Sequence, residues 1–164
     1  MNRICLSRRA WLLALPSLAT GCQTPSQPSH PMPREARLRA LGFEPGDEGW
    51  SLNLSARMLF GFDADALDAP QRQQLMDLGR ELAALGIASV RIEGHTDQTG
   101  SSVYNLRLAQ RRAEAVAAVL KDSALGTARF TVRGLGKEKL VCTDDTDACR
   151  AQNRRVVLIV PAGE

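Results

Sequence analysis

The residues from Gly94 to Leu120, GHTDQTGSSVYNLRLAQRRAEAVAAVL, constrain this chain more than any other stretch. They read as the end of a strand, a polar turn and then a long helix. Asn105, Leu108, Arg112, Ala113, Val116 and Leu120 recur at spacings of three or four, which places them on one stripe of a helix. Asp97 sits in the turn that leads into that stripe. An acid at the mouth of a turn, faced by a helix carrying Asn and Arg, is an arrangement suited to holding a small zwitterion.

The surrounding sequence supplies a sheet for this helix to lie on. Trp50, Leu52 and Leu54 alternate with Ser51, Asn53 and Ser55, the pattern of a half-buried strand, and Met58, Leu59, Phe60 and Phe62 extend it. A helix is expected over 69–85, with Pro70 near its start, Leu75, Leu78, Leu82 and Leu85 on its apolar face and Gly86 ending it. Strands are expected over 88–93 and 128–133. The unbroken apolar run over 156–160 has the character of a central strand. Ser101 or Ser102 is placed to cap the long helix. The alternation predicts an α+β domain, with helices stacked on one face of a mixed sheet. Aromatic residues make up only 4% of the chain, so Leu, Val, Ile and Ala must fill its core.

The charge balance carries a message about export. The formal charge of +3 is matched by Arg3, Arg8 and Arg9, which all precede Cys22, with no acid among them. The rest of the chain is balanced, so basicity is no argument for nucleic acid as a partner. After those arginines comes AWLLALPSLA, too short to span a bilayer as a permanent helix. Residues 1–21 therefore read as a signal peptide. Ser7-Arg8-Arg9 also resembles a twin-arginine motif, but Trp11 stands where that motif has Phe, and an ordinary basic start is the preferred reading. The segment closes on Leu18-Ala19-Thr20-Gly21-Cys22, which resembles a bacterial lipobox, with Cys22 the acylated residue. Gln23 follows it, and the absence of Asp there fits sorting to the outer membrane.

Residues 22–35 carry Pro25, Pro28, Pro31 and Pro33 and read as an extended tether. At roughly 3 Å per residue it would reach about 40 Å from the membrane. A neck follows over 36–50, two helical turns stopped by Gly42 and then a turn. Leu38, Leu41, Phe43 and Trp50 make it apolar, and two readings stay open: packing on the domain, or a patch that captures a partner. The domain proper is expected over 51–164. Of the four cysteines, Cys5 leaves with the signal and Cys22 takes lipid. Cys142 and Cys149 bracket the acidic loop TDDTDA and are expected to pair in an oxidising compartment. Metal binding is the weaker reading, because His30 and His95 are the only histidines and neither is near in sequence.

The spacing Asn105-x-x-Leu108-Ala109-x-x-Arg112-Ala113-x-x-Val116, preceded by Gly94-His95-Thr96-Asp97, resembles the signature helix and turn of the OmpA-like peptidoglycan-binding family. Ala109 departs, where that family often has Ser. The resemblance implies a two-layer sandwich with a four-stranded mixed sheet, and no cofactor. It also implies a ligand, the meso-diaminopimelate of the peptidoglycan stem. Arg112 would take its carboxylate and Asp97 its ammonium; Asn105 would hold the turn or the ligand, and Leu108 would pack against the stem. Phe62 and Asp63 carry over as the opposite wall, with His95 and Thr96 as turn residues offering mainly backbone contacts. Arg154 and Arg155 are weaker candidates, one for the rim and the other for solvent.

A finer likeness, through Gly42-Phe43-Glu44, Asp47-Glu48-Gly49-Trp50 and Leu59-Phe60-Gly61, points to a signalling branch of that family. It implies a periplasmic partner, a YfiR-like inhibitor of a membrane diguanylate cyclase, and it allows a homodimer. The passive alternative is a structural link between outer membrane and wall. No G-x-S-x-G or H-E-x-x-H motif is present, and no thiol is left for catalysis once the cysteines pair, so an enzyme is not expected.

Overall fold

The computed structural model describes residues 32–60 and 66–163. The signal peptide, the acylation site at Cys22, most of the tether, and Phe62 and Asp63 lie outside the described residues. No helix among the described residues is long and apolar enough to cross a membrane.

In chain order the elements are α1 (Arg34–Ala40), β1 (Glu44–Gly46), β2 (Gly49–Ser55), α2 (Ala56–Leu59), α3 (Ala69–Ala84), β3 (Ser89–His95), α4 (Ser102–Asp122), β4 (Arg129–Gly136), α5 (Asp147–Asn153) and β5 (Arg155–Pro161). The strands form one sheet in the order β1-β2-β5-β3-β4. Only β3 and β4 run parallel; every other pair is antiparallel.

The sheet is a two-sided object. Trp50, Leu52 and Leu54 register against Val160, Leu158 and Val156, and Ile92 lies between Leu158 and Val132. These residues share the face that packs with Leu75 and Leu82 of α3 and Val116 and Leu120 of α4. The opposite face carries Ser51, Asn53, Arg91, Glu93, Thr131 and Arg133, which register together in the same way. The apolar run of β5 is central and buried along nearly its whole length.

The sheet has five strands rather than four. The extra one, β1, lies in the stretch read as a plain turn, and it is folded back on β2 at Gly49, whose φ of +124° favours glycine. The strand expected to continue past Ser55 instead becomes α2. A run such as Met58-Leu59-Phe60 fits either state locally, and here it turns so that Leu59 and Phe60 enter the core.

The neck is part of this unit. Leu38 and Phe43 are 1% and 2% exposed and belong to the main core. Neither offers a free surface to a partner. Leu41 and Trp50 are half-buried, and Trp50 carries the Arg39 guanidinium 4.9 Å from its ring centre.

Cys142 and Cys149 are bonded, with Cα atoms 5.3 Å apart. The bridge fixes the start of α5, a helix the sequence reading did not anticipate. Thr146 caps it by accepting the Cys149 N–H, and the Asn153 side chain ties its other end to the backbone of Val141 and Cys142. Closing so short a loop constrains the unfolded chain by about 2 kcal/mol. Changing both cysteines to serine should therefore lower the denaturation free energy by about that amount. Equal midpoints in urea for both proteins would contradict this.

Candidate functional site

The long helix α4 is set by its cap and its stripe. Ser101, the residue just before the helix, accepts the Tyr104 N–H through its Oγ. Asn105, Leu108, Arg112, Ala113, Val116 and Leu120 are all buried, as their spacing requires. The first turns of α4 rest on glycine. A side-chain carbon at Gly94 would overlap the Ala109 carbonyl, and one at Gly134 would overlap the Gln110 backbone. The Gln110 side chain also accepts the Gly134 N–H at 2.6 Å.

An open cleft of about 850 Å³ forms where the β3–α4 turn, α4 and α5 meet. Its floor is Thr96, Asp97, Thr99 and Gly100. One wall is Tyr104, Asn105, Leu108 and Arg112 of α4. The other is Asp147, Arg150 and Ala151 of α5 with Arg154, and α2 adds Ala56 and Arg57 at the rim.

The floor is a constructed turn. The Asp97 carboxylate accepts the Thr99 N–H at 3.0 Å, Thr96 N–H reaches the Gly136 carbonyl at 2.9 Å, and Asn105 Nδ2 donates to the Thr99 carbonyl at 2.8 Å. Asn105 therefore holds the turn. The second Asp97 oxygen pairs with Arg154 at 2.7 Å. A carboxylate has about four acceptor positions, so these two bonds leave capacity for an incoming ammonium. Arg112 is 4% exposed and its guanidinium lies 5.5 Å from the Phe60 ring centre.

The cleft thus brings together Thr96, Asp97, Asn105, Leu108 and Arg112. His95 is not among its lining residues. Its side chain is 2% exposed and lies 3.9 Å from the buried Glu93 carboxylate, on the helix-free side of the sheet. Burial, with Arg155 and Lys139 adding repulsion, lowers its pKa from 6.5 to about 4. Arg154 takes the rim position, whereas Arg155 does not face solvent but is buried and donates to the carbonyls of Lys139 and Asn153. Arg57, Tyr104, Asp147 and Arg150 escaped the sequence reading. The i,i+3 and i,i+4 spacings of Asp147, Arg150 and Arg154 were the available signal, masked by reading the region as an acidic loop.

The His95 environment makes a pH prediction. The unfolded chain binds a proton at this position below pH 6.5, while the folded one resists until about pH 4. Stability from this residue is complete above pH 6.5 and falls by up to about 3 kcal/mol as pH drops to 4. Denaturant titrations at pH 7.5 and 4.5 should show a loss that shrinks in His95→Gln. An unchanged loss would refute the assignment.

A sheet with its helices on one face, the GHTD turn and a striped helix holding Asn105 and Arg112 are the features expected of an OmpA-like domain. The chain belongs to the OmpA family, whose pattern matches residues 59–154. It is 45% identical to the outer-membrane lipoprotein YfiB of Pseudomonas aeruginosa, over 94% of each chain. It is 33% identical to the putative lipoprotein YfiB of Escherichia coli, over 87% of this chain and 89% of that one. Among solved structures it resembles the peptidoglycan-associated lipoprotein of Burkholderia pseudomallei, with a TM-score of 0.56 and 34% identity, covering 65% of this chain and 87% of that one. Like the YfiB of Pseudomonas aeruginosa, it is a lipoprotein of the outer membrane.

Proposed function

We propose that this protein binds the stem peptide of peptidoglycan through meso-diaminopimelate and acts as a YfiB-like regulator. The observation that carries the first half is the presence of Asp97 and Arg112 in one cleft. The free end of diaminopimelate bears a carboxylate and an ammonium on one carbon. Arg112 offers a planar fork for the first, and Asp97 an acceptor for the second. Leu108 and Tyr104 supply apolar contact for the connecting chain. Cys22 carries the lipid anchor that keeps the cleft within reach of the wall. The role is binding without catalysis. Purified protein should co-sediment with isolated sacculi and release no soluble fragments from them.

The second half rests on the full-length similarity to YfiB. In this reading the protein sequesters a YfiR-like periplasmic inhibitor and thereby raises diguanylate cyclase activity. Leu41 and Trp50 are the neck residues still partly accessible for that contact. The protein should co-purify with a YfiR-like protein, less so as Trp50→Ala, and its overexpression should raise cyclic-di-GMP. The similarity to peptidoglycan-associated lipoproteins supports a second reading, a passive tether. Unchanged cyclic-di-GMP with sacculus binding intact would favour the tether.

A further inference from the structure

The cleft is larger than one amino-acid terminus requires. A volume of about 850 Å³ lies in the range that accommodates a drug-sized or short-peptide ligand. Its α5 wall carries a second guanidinium, that of Arg150, for which the diaminopimelate reading has no task. Arg150 is bonded to Asp147 at 2.6 Å and also to Asp145. Those two acids are 99% and 84% exposed at the side chain, whereas Arg150 is 27% exposed. Ion pairs with fully hydrated acids are weak, so a ligand carboxylate can displace one of them at little cost. The guanidinium itself is well placed. Its helix is fixed by the Cys142–Cys149 bridge at one end and by the Asn153 hydrogen bonds at the other.

We infer that Arg150 reads a second free carboxylate on the same stem peptide, making the cleft selective for stems that retain that charge. This rests on the proposed diaminopimelate binding and deepens it. Two carboxylates of an uncrosslinked stem qualify: the α-carboxylate of the γ-linked glutamyl residue and the one at the C-terminus. Arg150 lines the same cleft as Asp97 and Arg112, so one peptide can meet all three.

The test is calorimetric titration of the full chain with four compounds. They are free meso-diaminopimelate, the tripeptide L-alanyl-γ-D-glutamyl-meso-diaminopimelate, and the same tripeptide amidated at either the glutamyl α-carboxylate or the C-terminus. Wild type should lose about tenfold in affinity on one of the two amidations, which identifies the group read. Arg150→Gln should bind the unmodified tripeptide about tenfold more weakly than wild type and be indifferent to that amidation. Its thermal midpoint should match that of wild type, which shows that the variant is folded. Amidation at both places without effect on wild type would overturn the inference, as would an Arg150→Gln protein that keeps the discrimination. Diaminopimelate binding that survives either result leaves the underlying reading standing. Failure of wild type to bind diaminopimelate or any tripeptide removes both.

Discussion

Arg112→Gln is expected to lose at least about 100-fold in affinity for meso-diaminopimelate and to stay in the supernatant when sacculi are sedimented. In the proposed mode, two parallel charge-assisted bonds to the ligand carboxylate would disappear with the guanidinium. Glutamine is the informative replacement. Arg112 is 4% exposed and packs over Phe60, so alanine would also open a void and confuse lost charge with lost packing. Arg112→Lys should fall between, since an ammonium keeps the charge but not the fork. Near-wild-type thermal midpoints would show that the effect is local. Retention of sacculi by a folded Arg112→Gln protein would dismiss the site.

Gly94→Ala should be a severely damaging single-methyl change, costing at least about 3 kcal/mol. The added carbon would run into the Ala109 carbonyl, which belongs to helix backbone and has no rotamer to escape into. Relief requires α4 to rise off β3, dragging Ala113 and Val116 out of the core. Gly46→Ala is the matched control. Its new carbon would meet the Gly49 carbonyl at 3.7 Å, an ordinary contact at the sheet edge, and the cost should stay below about 1 kcal/mol. Chemical denaturation of both variants tests the contrast. Equal midpoints would show that the helix–strand contact is softer than its geometry indicates.

The long helix was legible because its buried stripe repeats over about four turns, so no single residue decides it. The apolar run of β5 was legible for a similar reason. What escaped was set by distant partners. The Asp97–Arg154 pair joins residues 57 positions apart, which local periodicity cannot register. Helix α5 is only seven residues and owes its existence to the Thr146 cap, the disulfide and Asn153 rather than to an amphipathic pattern. The three residues of β1, Glu-Pro-Gly, have the composition of a turn and become a strand only because β2 offers them an edge. His95 was assigned to the turn by its position in the GHTD motif. Its side chain went to the other side of the sheet, where Glu93 and Arg155 await it.

The seating of α4 on Gly94 and Gly134 has a consequence for how the family can diversify. Main chain touches main chain there, so the depth of the cleft and the pose of Asn105 and Arg112 do not depend on which side chains surround them. The chassis is rigid before any peptide arrives, and little ordering is demanded of it on engagement. Arg57, Asp147 and Arg150 stand apart from that scaffold, on a short helix and a small stapled one. Under the proposed function, substitution there can therefore retune ligand choice while the seat of α4 stays as it was.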